Sequence, residues 1–449
     1  MTTIGRVWLV CARWVGACVI AGSALLASRS AHAQQVTAPT RFTLPNGLEV
    51  LLEEDHRQKL VALRLSYAVG SRNDPPGQSG LAHLVEHMTY RGSRHLADGQ
   101  LWHLYQLAGA GDMNGETRPD ETVYHATVSS NALELALWLE SERMAFTAER
   151  FDSAHVDIER GVVWREEFLR QGDDLALAYG IFSGFFGESH PYARPLDFSP
   201  KRPSLSLDQV RDFFLRGYRP DNARLILVGD FEPAAARALV ERYFGPIRNP
   251  PLPKAALTKM PTRARPGVRV QVPATDKRKL LLAWGAPIHS LRERARLVLL
   301  ARLLNEGFWH RSIREQRNLR TLRASLEFLQ LGSLLEIHAA IERTAPQEDV
   351  EIDLRDALAR LPELVTDERL ASVRASEKLA WLSAWESSSE IAESQAEALV
   401  FYDRTVEPND YASEVDTISS AELKAYAATL SMARATRAET VFDLESAKP

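Results

Sequence analysis

The stretch SRNDPPGQSGLAHLVEHMTY, Ser71–Tyr90, is where one kind of sequence gives way to another. Its first half is dense in turn formers. In its second half Leu81, Leu84, Val85 and Met88 recur at helical spacing, so a glycine-rich turn opens a helix that carries HLVEH, His83–His87. On such a helix His83 and His87 lie one turn apart on one face, with Glu86 on the same side. Two imidazoles and a carboxylate then converge on one point.

Working outward, RFTLPNGLEVLLEED from Arg41 reads as strand, Asn-Gly turn, strand, and VALRLSYAV as a third strand ending at Gly70. Downstream, a helix around Leu101–Leu107 precedes AGAGDMNGETRPDETVYHATVSS, whose glycines bound a strand pair. Amphipathic helices are predicted over Ala132–Ala145 and Ala148–Gln171. Then LSLDQVRDFFLRGYRPDN reads as a helix with proline beyond its end, ARLILVGDF as a buried strand and EPAAARALVERYFG as another helix. Strands, then helices, then a returning strand predict an α+β fold rather than a doubly wound one.

The segment RNPPLPKAALTKMPTRARPG, Arg248–Gly267, is rich in proline and basic residues and lacks apolar periodicity, as expected of a linker. Beyond it the scheme repeats: strands VRVQVPA and KLLLAWGAPI, a helix over Leu291–Leu304, strands near Leu322–Ile341, then long helices to Tyr402. The expected division is an N-terminal metal-binding domain over 34–248, a linker over 249–267 and a structurally related C-terminal domain over 268–449, as in a diverged duplication.

With 449 residues, 45% hydrophobic and 25% charged, the chain can bury more than one core. Its first residues have the order of a secretory signal peptide: Arg6 and Arg13, an apolar run Trp14–Ala27, and Ala31-His32-Ala33 as the cleavage site. Cys11 and Cys18 both fall within it, so the mature chain would hold no thiol, excluding disulfides and thiol catalysis. No acidic residue precedes Ala33, and loss of Arg6, Arg13 and Arg29 takes the formal charge from −5 to −8, which argues against a nucleic-acid partner. No later apolar run is long enough to span a bilayer, so a periplasmic or secreted protein without stable membrane insertion is expected.

The chemistry suggested by HLVEH is that of a catalytic zinc site, in which three protein ligands leave the fourth position to water and a nearby carboxylate takes the proton. His-x-x-Glu-His is the reverse of the His-Glu-x-x-His zincin order. A third ligand is available on the helix at IERGVVWREEFLR, where Glu159 and Glu166 stand two turns apart and face one way. Glu167 competes for the role but points about 100° away. The plain alternatives are a solvated helix face at HLVEH and a charge-rich surface helix at Ile158–Arg170.

Six segments occur in the order found in one family: FTLPNGLEVLLEED, GQSGLAHLVEHMTYRGS, AGAGDMNGETRPDETVYHATV, IERGVVWREEF, SHPYARP and DFFLRGYRPDNARLILVGDF. Through them the chain resembles the pitrilysin-type (inverzincin) zinc metallopeptidases, the group of mitochondrial processing peptidase and insulin-degrading enzyme. The resemblance implies that His83, His87 and Glu166 hold one Zn2+ per chain and that Glu86 is the general base. It also implies that Glu159 supports the site beside it, and that Asn114 and Thr117 contact substrate. Manganese or cobalt would suit the same donors.

The implied fold is two homologous sheet-plus-helix domains forming half of a clam-like chamber, with peptide substrates added as a strand to a sheet edge. One departure stands out in SIREQRNLRTLRASLEF, where Arg314 fits the family's substrate-holding arginine but Thr321 replaces the tyrosine seven residues later. Either a homologous partner subunit, or a second copy, supplies an Arg/Tyr pair, or the oxyanion is held otherwise within one chain. The implied function is a zinc-dependent endopeptidase acting on peptides or unfolded polypeptides; the alternative is a catalytically silent scaffold or peptide-binding subunit of the same fold.

Overall fold

A computed structural model describes residues 38–170, 172–194, 205–254, 269–273, 278–306 and 318–441. The expected signal segment, most of the linker and Arg314 lie outside the described residues.

The first half contributes strands β1 (Thr40–Thr43), β2 (Glu49–Glu54) and β3 (Leu60–Tyr67), helices α1 (Leu81–Met88) and α2 (Gln100–Leu107), and the hairpin of β4 (Gly111–Thr117) and β5 (Thr122–Ser129). Then come α3 (Leu133–Phe146), α4 (Ser153–Arg170), α5 (Gly172–Phe186), α6 (Leu207–Gly217), β6 (Ala223–Gly229) and α7 (Pro233–Phe244). The second half supplies β7 (Arg269–Pro273), β8 (Arg278–Gly285), α8 (Leu291–Asn305), β9 (Leu319–Glu327) and β10 (Leu334–Ile341). Six helices follow: α9 (Gln347–Ala359), α10 (Leu361–Leu364), α11 (Asp367–Ala384), α12 (Ser388–Tyr402), α13 (Pro408–Thr417) and α14 (Ser420–Ala427); β11 (Thr436–Val441) closes the scheme.

The two sheets share one topology. The first runs β1-β2-β6-β3-β5-β4 and the second β7-β11-β8-β10-β9, so that, β1 aside, each strand of one has a counterpart in the other. Even the exception to antiparallel pairing is repeated, because β2 and β6 are parallel and so are β7 and β11. The fold is thus α+β with two related sheets, as expected from the order of elements.

The helices do not stay with their own half. Helix α12, late in the chain, lies on β3 and β6 of the first sheet, where Ile391, Ala392 and Ala396 join Ala62, Ile226 and Val228 in one buried cluster. Conversely α5, early in the chain, covers β7, β8 and β11, with Leu177, Ile181, Phe182, Phe185 and Phe186 packed on Leu281, Ala283 and Ala438. Burying those five side chains contributes on the order of 10 kcal/mol gross. Both sheets are therefore apolar on two faces, which explains runs such as KLLLAW that do not alternate.

Helix α4 begins at Ser153 rather than near Ala148. Thr147–Arg150 form a single 3-10 turn, Phe151 is buried in extended conformation, and the Asp152 carboxylate accepts the His155 amide at 2.9 Å, capping the helix there. From that start Val156, Glu159 and Val163 form a buried stripe. It faces α1.

Candidate metal centre

Helix α1 is preceded by Gly80, which adopts φ 89°, a conformation that favours glycine. Its first amides are held by Asp74, whose carboxylate accepts from Gly80 N at 2.5 Å and Ala82 N at 2.8 Å. Burial pushes the Asp74 carboxyl up to about 7, against the pull of those amides and of Arg194 and His83. Leu81, Leu84, Val85 and Met88 anchor the helix in the core, leaving His83 and His87 half-buried with ring centroids 4.9 Å apart.

Three groups come together: His83, His87 and Glu166 each offer a ligand atom, all within 4.8 Å of one another. Glu159 takes a different position. Its Oε2 lies 2.8 Å from His87 Nδ1, and its Oε1 accepts from Arg91 Nε at 2.8 Å. The Nδ1 side of the ring thus faces Glu159, and Nε2 faces Glu166 Oε2, 3.4 Å away. A metal cation held between them would take one donor from each. Ligands at about 2.0–2.1 Å in tetrahedral array stand roughly 3.3–3.4 Å apart, so this spacing suits zinc. If His87 is a ligand, Glu159 stands where an outer carboxylate would fix that imidazole's tautomer and direction. Burial alone would raise the Glu159 carboxyl, but His87 and Arg91 together hold it below its ordinary value.

Glu86 is buried beside the two histidines, and its Oε2 accepts a hydrogen bond from Thr117 Oγ1 at 2.8 Å. Thr117, expected from the resemblance to touch substrate, thus uses its hydroxyl on the carboxylate expected to be the base. Gly115 leaves room for that carboxylate, since a β-carbon there would stand 2.8 Å from Glu86 Oε1 and 2.6 Å from Tyr90 Oη. Asn114 is exposed on β4 and lines a cavity of about 570 Å³ together with His83, Glu86, His87, Thr117 and Glu166. Stacked Tyr90 and Trp102, centroids 5.1 Å apart, wall the same cavity. Thr321 lies exposed on β9, paired with Ala340; the side chain of Glu167 lies outside the described residues.

Sequence reasoning missed Asp74, Arg91, Tyr90 and Trp102. Arg91 had a signal, since it stands four residues after His87 and close enough in the chain to reach the carboxylate on His87. Asp74 had only its place ahead of a glycine-opened helix.

The elements define a class: an α+β protein of two like-wound sheets, the first bearing a His-x-x-Glu-His helix whose imidazoles meet a glutamate of a second helix. Comparison with known proteins gives the family. The chain belongs to the M16 (insulinase) peptidase family, with the Insulinase (Peptidase family M16) model matching residues 49–171 and the Peptidase M16 inactive domain model matching 204–377. It is similar to the zinc protease PqqE of Helicobacter pylori, 27% identical over 384 residues that take in 83% of this chain and 86% of the relative. It is also similar to an uncharacterized zinc protease of Mycobacterium tuberculosis, 28% identical over 337 residues, or 72% of this chain and 75% of that one. Among solved structures, a protease from Helicobacter pylori superposes with a TM-score of 0.81 at 22% identity, covering 90% of this chain and 99% of that chain. The periplasmic protease PqqL of Escherichia coli gives 0.71 at 19% identity over 92% of this chain but 48% of its own. Among the described residues no helix is long and apolar enough to cross a membrane.

Proposed function

We propose that the chain is a zinc-dependent endopeptidase of the periplasm or cell exterior, cleaving peptides or unfolded polypeptides as the metal-bearing subunit of a two-subunit enzyme. The observation that carries this reading is the meeting of His83, His87 and Glu166 within 4.8 Å beside a carboxylate, Glu86, held by Thr117. Zinc in such a site polarises a carbonyl and acidifies water.

The chain's own residues do the rest. His83, His87 and Glu166 hold the ion, and Glu159, braced by Arg91, keeps His87 in the ligating tautomer. Glu86, with Oε2 fixed by Thr117, takes the proton of the attacking water and returns it to the leaving amine. Strand β4 ends the first sheet, so the backbone from Asn114 to Thr117 is placed to pair with an extended peptide beside the metal ligands. Export by the segment ending at Ala33 agrees with the PqqL relative, a periplasmic protease. With threonine at 321, oxyanion stabilisation falls to an Arg/Tyr pair on a homologous partner.

The test is Glu86→Gln, which should keep one zinc per chain and abolish cleavage of an unfolded protein substrate. Undiminished cleavage would remove Glu86 from its role, and a purified chain with no bound zinc would favour a silent scaffold.

A further inference from the structure

One buried carboxylate joins four segments of the chain. Asp120, in the turn between β4 and β5, is 7% exposed and accepts from Tyr192 Oη at 2.6 Å and from the Gln330 amide at 2.8 Å. The guanidinium of Arg72, itself buried, also donates to it, and reaches on to Gln330 Oε1 at 3.2 Å. Tyr192 Oη in turn accepts the Leu331 amide at 3.1 Å. Gln330 and Leu331 lie between β9 and β10, so the second half grips the tip of the first half's hairpin.

The hairpin is equally bound to the segment that leads into α1. Thr122 Oγ1 donates to Val69 O at 2.8 Å, and the amides of Ser71 and Arg72 donate to Arg118 O and Pro119 O, both at 3.1 Å. Gly70 permits this approach, because a β-carbon there would fall 2.2 Å from Arg118 O. At its other end β4 is bulged, its register shifting between Gly111 and Asn114, where Asp112 adopts φ 44° and accepts the Thr127 amide at 2.9 Å. Only Asn114–Thr117 keep regular pairing with β5, and their outer edge borders the metal cavity.

We propose that Asp120 is a positioning residue for substrate binding: through it the second half, which brings no ligand to the metal centre described above, fixes the position of the β4 edge on which the peptide is laid. The inference rests on the peptidase reading above. An edge strand that accepts a guest strand must already be straight and in place, or binding has to order it. Asp120 holds the end of that strand to groups from Arg72, Tyr192 and Gln330, none of which lines the metal cavity. Its loss therefore acts chiefly on peptide binding and leaves the metal ligands, which other elements carry, in place; Glu86 feels it only through Thr117 on the same strand.

The experiment uses the full chain, with its partner if turnover needs one, a short internally quenched peptide, and the variants Asp120→Asn and Tyr192→Phe. The second is the milder, since it removes one hydroxyl and keeps the buried ion pair. Both should raise KM about tenfold, by more than they lower kcat, with zinc content unchanged. On a Glu86→Gln background the same peptide, fluorescently labelled, should bind correspondingly more weakly by anisotropy. An unchanged KM in a variant that melts like the parent overturns the proposal, as does a loss of rate that merely follows the folded fraction. If the parent itself cleaves nothing, the peptidase reading fails, and anisotropy alone decides: weaker binding in Tyr192→Phe upholds the role of the clamp, while equal binding or none overturns it.

Discussion

His87 connects two carboxylates of one helix: its Nδ1 lies 2.8 Å from Glu159 and its Nε2 3.4 Å from Glu166. The seven-residue spacing of α4 thereby separates two jobs, one glutamate facing the cation site and the other holding the imidazole that faces it. Replacing Glu159 with Gln keeps the size of the side chain and removes the charge that stabilises the Nδ1 proton. Zinc affinity should fall about 10- to 100-fold. Competition against a chromophoric chelator measures it, and an unchanged affinity would remove Glu159 from the support of the site.

Gly115 is expected to be intolerant of a single methyl group. The β-carbon of Gly115→Ala would meet Glu86 Oε1 at 2.8 Å, and the carboxylate must turn away from its bond to Thr117 or push β4 outward. Cleavage should drop by about 100-fold with zinc content preserved. Gly161→Ala serves as the control: a β-carbon there meets nothing within 4 Å, and removing a glycine from a helix interior should stabilise by up to about 1 kcal/mol without loss of rate.

Glu53 gives the contact between halves a pH dependence. Its carboxylate, 4% exposed, accepts from Gln395 of α12 at 2.8 Å. Burial pushes it up to about 7, with Asp55 and Glu407 adding to the rise and Gln395 and Arg57 opposing it. The folded state thus holds a proton that the unfolded chain releases near its ordinary value of 4.5. The sign follows: this contribution is fully present below about 4.5 and is lost as pH rises to about 7, costing on the order of 3 kcal/mol. Glu53→Gln should be more stable than the parent above pH 7 and should lose that part of the slope, as denaturant melts between pH 5 and 8 would measure. An identical slope in both proteins would contradict the assignment.

Much of this was readable in the chain because it rests on local periodicity. Leu81, Leu84, Val85 and Met88 define the face of α1 that is buried, and so the side on which His83 and His87 stand. Two helical turns suffice to align Glu159 with Glu166, although nothing in that spacing says which carboxylate joins His83 and His87 and which pairs with His87 Nδ1. The bond of Thr117 to Glu86 was out of reach for a similar reason: it joins an edge strand to a helix 31 residues earlier, and no spacing along the chain reports it. The start of α4 moved because the side chain of Asp152 competes for a helix amide ahead of Ala148's apolar signal. Helix α5 was the largest omission. GDDLALAYGIFSGFF is apolar over most of its circumference, and the surface it needs belongs to strands more than 80 residues further along.

That displaced packing bears on what a protease could do to the protein itself. Helix α5 is a lodger on the sheet of the later half, and α12 returns the visit. A chain nicked once between Lys254 and Arg269 should therefore run as two bands in denaturing gels yet travel as one particle through a native sizing column, because each fragment keeps a piece of the other's core. Parting the fragments would require unfolding both.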